Sequence, residues 1–500
     1  GHHHPEEAAR LIEYILLIPL IIAALCYPLR RRALVEAVAV AGSAVTLIAS
    51  LSISYEGFTT GTLDEGLLYM DALSAYVLLL VSLVGLLACF YSISYLRREL
   101  EEGEITELKL RNYYIFFQLF VFTMLLVTVS NNLGIMWIAI EGTTLASAYL
   151  VGLYDRDTSI EAAWKYLVIC SVGITLALLG TIIVYASSIQ VLGEESNALN
   201  WSTLQANASA LDPGLLKISF IFILVGYGTK VGLSPMHTWL PDAHSQAPTP
   251  VSALLSGVLL NCAMYGILRF HMIVSGSSLG AGFSGGLLLL FGIISVATAG
   301  AFIIMAKDYK RMLAYSSIEH MGIIAIGFGF GGFWGIFGAL FHMLNHALAK
   351  TLLFFGAGKV LQRFHTKDID KVHGLIKVLP VTGALLLGGG LAITGCPPFS
   401  LFLSEFMIMV GGLSSQNYLG TILYIVLLII VFAAFLKHIG GMVFGEPLLE
   451  ERPSKERRGT DVVMMAVLLI AILALGLYVP EFLNEVLDQV YRLFVPGGGA

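Results

Sequence analysis

The sequence predicts an all-α membrane protein: a polytopic bundle of about fourteen transmembrane helices, with two inverted five-helix repeats that each contain a broken helix. Three observations carry this reading. Of 500 residues only 12% are charged, about half the share of a soluble chain, and 57% are hydrophobic. The apolar residues fall in runs of about 20 or more, the length a helix needs to cross about 30 Å of hydrocarbon. Lys and Arg gather on alternate sides of successive runs, as the positive-inside rule requires.

The apolar segments lie approximately at 11–29, 33–54, 67–95, 112–130, 133–154, 161–187, 215–236, 248–270, 284–305, 312–330, 332–358, 377–411, 417–443 and 461–479. Long runs without alternation fit helices and not the short alternating strands of a closed barrel. The opening GHHHPEE carries no Met, and no cleavable signal is evident. Residues 1–111 hold the first three segments. Residues 112–270 and 284–443 form the two repeats, and 461–500 holds the last segment with a short amphipathic tail, EFLNEVLDQVYRLF. The repeat rests on GLSPMHTWL (232–240) and GCPPFSLFL (395–403), which lie 163 residues apart and share Gly, Pro and Leu at positions one, four and nine. Each Pro breaks its apolar segment. Five helices per unit is an odd number, so successive units sit inverted in the membrane.

Sorting the 28 Lys and Arg by side puts 20 on one face, from Arg30–Arg32 through Arg97, Arg98 and Lys310 to Arg452–Arg458. Four lie on the other: Arg10, Lys217, Arg269 and Arg492. The split puts both termini outside a cell membrane. The last four (Lys165, Lys230, Lys350, Lys437) fall within or beside apolar segments. A net charge of -6 without a basic tract points away from nucleic acid. The five cysteines are scattered singly through apolar segments and read as core packing, so no cofactor or metal centre is expected. No GxxxxGK[ST] loop is present, so any driving energy comes from elsewhere.

Charges inside the membrane point to function, because each costs about 2.5–3.5 kcal/mol at the bilayer centre. Glu141 lies about 12 Å into the fifth segment and Lys230 at similar depth in the seventh, five residues before Pro235. Pairing them is the least costly arrangement, and a static pair that staples helices would leave the same signature. The list then grows. His342, His346 and Lys350 share one face of the eleventh segment, with Asn345 beside them. Glu319 and His320 occupy the tenth, Glu405 follows the break in the twelfth, and Lys437 and His438 lie near the end of the thirteenth. His237, Asp242 and His244 fall at the mouth of the broken seventh helix.

Blander roles compete. His320 alone could be a satisfied core histidine, and Asp242 and His244 could fix a loop. The spacing of His342 and His346 suits two zinc ligands, but Met343 stands where a zinc hydrolase has Glu, and no third ligand is evident. Titratable groups of both signs on successive central helices, with helix breaks that expose backbone carbonyls, read together as a proton or cation path running laterally at mid-membrane.

KVGLSPMHTWLPDAHSQAPTPVSALLSG, AYSSIEHMG, FHMLNHALAKTLLFFGAG and GCPPFSLFLSEFMI, within about residues 70–445, resemble the antiporter-like subunits of proton-pumping NADH:quinone oxidoreductase, of multi-subunit Na+/H+ antiporters and of membrane-bound hydrogenases. SIEHMG and GCPPFSLFLSEF are most similar to the hydrogenase-4 or formate hydrogenlyase branch. The resemblance implies that Glu141 and Lys230 are the family's essential pair, that His346 and Lys350 continue the axis, that Glu405 is the exit residue, and that His237 and His244 stand near the entry. It implies further antiporter-like membrane subunits as partners, a hydrogenase-like redox arm reached indirectly, and the bilayer of a bacterial or archaeal cell. Asn261 departs from relatives with Lys or His in the eighth helix, and Asn does not titrate. The long lateral helix of the most distal respiratory subunit has no counterpart in the tail. A Na+/H+ antiporter subunit without a redox arm, a non-transporting scaffold and a stand-alone solute transporter remain the alternatives.

Overall fold

The computed structural model describes residues 5–194, 197–448 and 455–495. The helices run α1 (Pro5–Cys26), α2 (Arg32–Thr60), α3 (Ala72–Glu101), α4 (Glu107–Val129), α5 (Leu133–Val151), α6 (Asp157–Leu192), α7 (Trp201–Ala206), α8 (Pro213–Val231), α9 (Trp239–Gln246) and α10 (Thr249–Leu254). They continue as α11 (Leu260–Gly276), α12 (Gly282–Ile304), α13 (Tyr309–Phe330), α14 (Gly332–Phe364), α15 (Leu375–Val378), α16 (Pro380–Ile393), α17 (Ser400–Ser414), α18 (Tyr418–Val443), α19 (Thr460–Leu477) and α20 (Glu481–Leu493). A π-helical turn, Leu255–Leu259, joins α10 to α11. One two-residue hairpin pairs Leu63–Asp64 with Tyr69–Met70. Each of the fourteen apolar segments overlaps a helix, and eleven of the described helices are long and apolar enough to cross a membrane.

Short polar residues start several of these helices. Asp71, Asn132, Asp212 and Asp308 each accept a backbone N–H of the first turn of α3, α5, α8 and α13. Small residues then let helices approach. A Cβ on Gly292 of α12 would meet the Gly322 carbonyl of α13 at 2.7 Å.

The two breaks have matching geometry. α8 ends where Gly232 turns left-handed (φ +87°), and α16 ends where Gly395 does the same (φ +83°). Pro235 and Pro398, each after a cis peptide bond, follow three residues later. Trp239 then donates its indole N–H to the Thr229 carbonyl at 2.6 Å, so α9 folds back on the end of α8. HTWLPDAH is therefore largely a second half-helix, where the sequence suggested a loop.

The α10–α11 unit is wholly buried, and α13 and most of α14 nearly so. These helices form the centre of the bundle. The tail packs as α20, with Val486, Leu487 and Val490 buried. Arg452, residues 1–4 and residues 496–500 lie outside the described residues.

Candidate functional site

Three helices build one half of the site. Glu141, on α5, accepts a hydrogen bond from Ser171 of α6 at 3.0 Å, and its second oxygen is buried without a partner. Lys230, in the last turn of α8, is fully buried. Its Nζ donates to Thr144 Oγ1 at 2.5 Å and to Tyr166 Oη at 2.7 Å, and lies 4.4 Å from the Tyr166 ring centroid. The expected direct pairing of Glu141 with Lys230 is corrected here: the ammonium is held by hydroxyls, with no carboxylate on it. The reason lies in helix periodicity. Thr144 follows Glu141 by three residues, shares its face of α5, and meets the ammonium first. Tyr166 in turn contacts Ser147 Oγ at 2.6 Å.

His244 occupies the middle. It is fully buried with neither ring nitrogen bonded, between Trp239 (centroids 6.4 Å) and Phe354 (5.9 Å). Trp239 packs on Tyr166, and Phe354 lies one turn beyond Lys350 on α14. The imidazole thus stands between the two lysines, in the electrostatic neighbourhood of Lys350. Lys350 repeats the pattern of Lys230: it donates to Ser317 Oγ at 3.2 Å, which contacts Ser256 Oγ at 2.5 Å. Asn261, just after the π turn, donates to the Gly257 and Met343 carbonyls at 3.0 and 3.3 Å and so ties α11 to α14.

The other half is a row of imidazoles. His342 Nδ1 lies 2.8 Å from Ser404 Oγ, His342 Nε2 lies 2.8 Å from His320 Nδ1, and His320 Nε2 lies 2.9 Å from Glu319 Oε1. His346 stacks on His320 at 5.3 Å, with both its nitrogens buried and unbonded. In neutral imidazole one nitrogen donates and the other accepts. The bonds from His320 through His342 to Ser404 can therefore run in either direction, and reversal passes one proton along. Asn345 fixes α17 by donating to the Ser400 carbonyl and to Ser404 Oγ. Glu405 follows, beside a cavity of about 320 Å³ lined also by Gly395, Thr394 and Tyr424.

His320, His342 and Glu405 offer ligand atoms within 4.8 Å of one another, so a third ligand for His342 exists that spacing could not reveal. Both nitrogens of His342 are engaged in the hydrogen-bonded row, as is His320 Nδ1, whereas His320 Nε2 is buried without a hydrogen-bond partner.

Three expected residues stand apart. His237 is half-buried against Phe302, at the rim of the break. Asp242 takes the stapling role, bonding Arg311 at 2.5 Å and Lys165 at 3.1 Å across α9, α13 and α6. Lys437 is exposed near the end of α18, away from the buried line. It is not brought to the site.

Near His244, a cleft of about 140 Å³ is lined by Glu99, Glu104, Arg156, Ser245, Lys310 and Lys367 among others. Lys367, in the loop after α14, donates to the Ser245 carbonyl at 2.6 Å, and burial holds its ammonium below the usual lysine range. Sequence reasoning singled out none of Thr144, Tyr166, Ser256, Ser317 or Ser404. The available signal was position, since Thr144 lies three residues from Glu141 and Ser404 precedes Glu405.

A family model described as NADH:quinone oxidoreductase/Mrp antiporter, TM, matches residues 130–433, and one described as NADH-Ubiquinone oxidoreductase (complex I), chain 5 N-terminus, matches 65–103. The hydrogenase-4 component F homolog of Methylacidiphilum infernorum is 41% identical over 83% of this chain and 86% of its own. Hydrogenase-4 component B of Escherichia coli is 34% identical over 72% of this chain, and the match spans 52% of that longer protein. The Mrp complex from Dietzia sp. contains a chain that superposes with a TM-score of 0.86 at 18% identity, covering 98% of both chains.

Proposed function

The chain belongs to the NADH:quinone oxidoreductase/Mrp antiporter transmembrane family, and on that premise we propose that it is an antiporter-like, ion-translocating subunit of a multi-subunit membrane complex of the hydrogenase-4 type. It is a multi-pass protein of the plasma membrane, working beside further antiporter-like membrane subunits. A hydrogenase-like arm supplies the driving force through those neighbours. Both termini face outward by the distribution of Lys and Arg, and the matched breaks at Gly232 and Gly395 favour two inverted repeats, 112–270 and 284–443.

The observation that carries the reading is the succession of buried titratable side chains through the centre of the bundle: Glu141, Lys230, His244, Lys350, Glu319, His320, His342 and Glu405. His346 flanks the row. The hydroxyls of Thr144 and Tyr166 stand at hydrogen-bond distance from Lys230, that of Ser317 from Lys350 and that of Ser404 from His342. Both nitrogens of His244 and of His346 are buried without a hydrogen-bond partner, so neither ring is committed to a neighbour. A lysine held by neutral hydroxyls gives up its proton more readily than one locked to a carboxylate, so each ammonium is poised to hand its charge on. The row carries protons or Na+.

The test is vectorial ion transport by the assembled complex in proteoliposomes. Glu141→Gln and Lys230→Ala variants should assemble, retain electron transfer at the peripheral arm, and lose most of the ion movement assigned to this subunit. Assembled variants with undiminished movement would refute the reading.

A further inference from the structure

A second set of charges lies at helix ends, away from the buried line. The last turns of α3 and α14 and the chain entering α19 enclose two adjoining cavities of about 410 and 330 Å³, which share Ser94, Arg98, Arg457 and Thr460. Their walls carry six cations: Arg97, Arg98, Lys359, Arg363, Lys455 and Arg457. Two carboxylates, Glu101 and Asp461, line them as well. Protein groups answer several of the cations: Arg97 bonds both oxygens of Glu36 at 2.6–3.3 Å, Lys359 bonds Asp461 at 2.9 Å and the Arg457 carbonyl at 3.0 Å, and Arg98 bonds Glu102 at 3.2 Å and the Gln362 carbonyl at 2.7 Å. Lys455 and Arg457 are exposed. Cations gathered this closely repel one another unless an anion joins them.

The walls also change character along α3. Five to eight residues before Arg98, about 8–12 Å back along α3 at 1.5 Å per residue, the lining becomes Ile93 and Phe90, and Phe90 is exposed on the flank of the bundle. A soluble anion has no use for that apolar wall. A ligand with an anionic head and hydrocarbon chains satisfies both ends.

We propose that this crevice between α3, α14 and α19 binds an anionic phospholipid, with its phosphate among Arg98, Lys455 and Arg457 and an acyl chain along Ile93 and Phe90. Basic pockets between membrane helices at the headgroup level take anionic headgroups in this way. The site is independent of the buried line and would stand if the translocation reading fell.

The test uses the assembled complex in nanodiscs of phosphatidylcholine doped with phosphatidylglycerol or cardiolipin, read by native mass spectrometry and by competition with a fluorescent anionic lipid. Wild type should retain the anionic lipid in preference to phosphatidylcholine. Neutralising Lys455→Gln and Arg457→Gln, both on exposed chain and so tolerant of change, should weaken retention about fivefold per charge. Lys437→Gln, an exposed lysine elsewhere, should leave it unchanged. Equal retention of phosphatidylcholine, no loss in the double variant, or displacement of the lipid by millimolar inorganic phosphate would each overturn the proposal, the last by showing a site for free anions.

Discussion

The carboxylate of Glu405 occupies the space that a side chain on Gly395 would need. A Cβ built on Gly395 would overlap Glu405 Oε2, and the backbone there is left-handed (φ +83°). Helix break and buried acid are thus one feature: the break that ends α16 opens the pocket in which the acid of α17 sits. Gly395→Ala should therefore act on ion movement through Glu405. The left-handed backbone alone costs about 1–2 kcal/mol, and the displaced carboxylate adds to that. Thermal melting of the solubilised complex and transport assays should both fall, whereas Gly441→Ala, with nothing within 4 Å, should change neither.

Tyr166→Phe should uncover the role of hydroxyls around Lys230. The ring stays, so packing on Trp239 persists, but one of the two acceptors of the ammonium is lost. Leaving such a donor unsatisfied costs about 1–3 kcal/mol. Expected outcomes are a lower melting temperature and slower ion movement, with Thr144→Val behaving alike. If both variants transport as wild type does, the hydroxyl shell is not needed.

Not every buried charge is predicted to move ions. Arg269, placed by sequence among the outer charges, is buried and bonds both oxygens of Asp71 at 2.7 Å, with Trp201 and Tyr265 against its guanidinium. Asp71 caps the start of α3 and Arg269 lies in the C-terminal half of α11. Asp71→Asn should cost about 3–5 kcal/mol by leaving the arginine unpaired, read as lost assembly and a lower melting temperature. Whatever complex does assemble should transport at the wild-type rate per molecule.

A pH effect is expected from Glu456, in the chain before α19. It accepts from the backbone N–H groups of Val381 and Thr382 and from the Thr382 hydroxyl at 2.6–3.0 Å, and so fastens that chain to the start of α16. Those bonds outweigh its partial burial and hold the carboxyl below its ordinary value of 4.5. A depressed carboxylate stabilises the fold above its unfolded pKa, and that contribution is lost as pH falls through the folded one. The melting-temperature difference between wild type and Glu456→Gln should be constant at neutral pH and shrink in acid below about 4.5. A difference that grows in acid would contradict the sign.

These cases show what the sequence could and could not disclose. Long apolar runs, the paired Gly and Pro breaks, and acids or lysines within apolar segments are strong local signals, and the helices and most of the buried line follow from them. Contacts between distant helices are not local. Nothing near Lys230 in sequence names Thr144 or Tyr166, because hydroxyl residues are ordinary in membrane helices. Lys437 and Lys230 look alike as lysines in apolar runs, yet one faces outward and the other inward, a matter of helix rotation against neighbours. Asp71 reads as a helix cap, which it is, and its pairing with Arg269 spans 198 residues.

Lys350 stands where the two halves of the line meet, so ion movement per turnover in the assembled complex carrying Lys350→Met is the most direct test of the central claim. The account predicts a loss of tenfold or more, with subunit composition and peripheral electron transfer retained. Wild-type ion movement through an assembled Lys350→Met complex would contradict it.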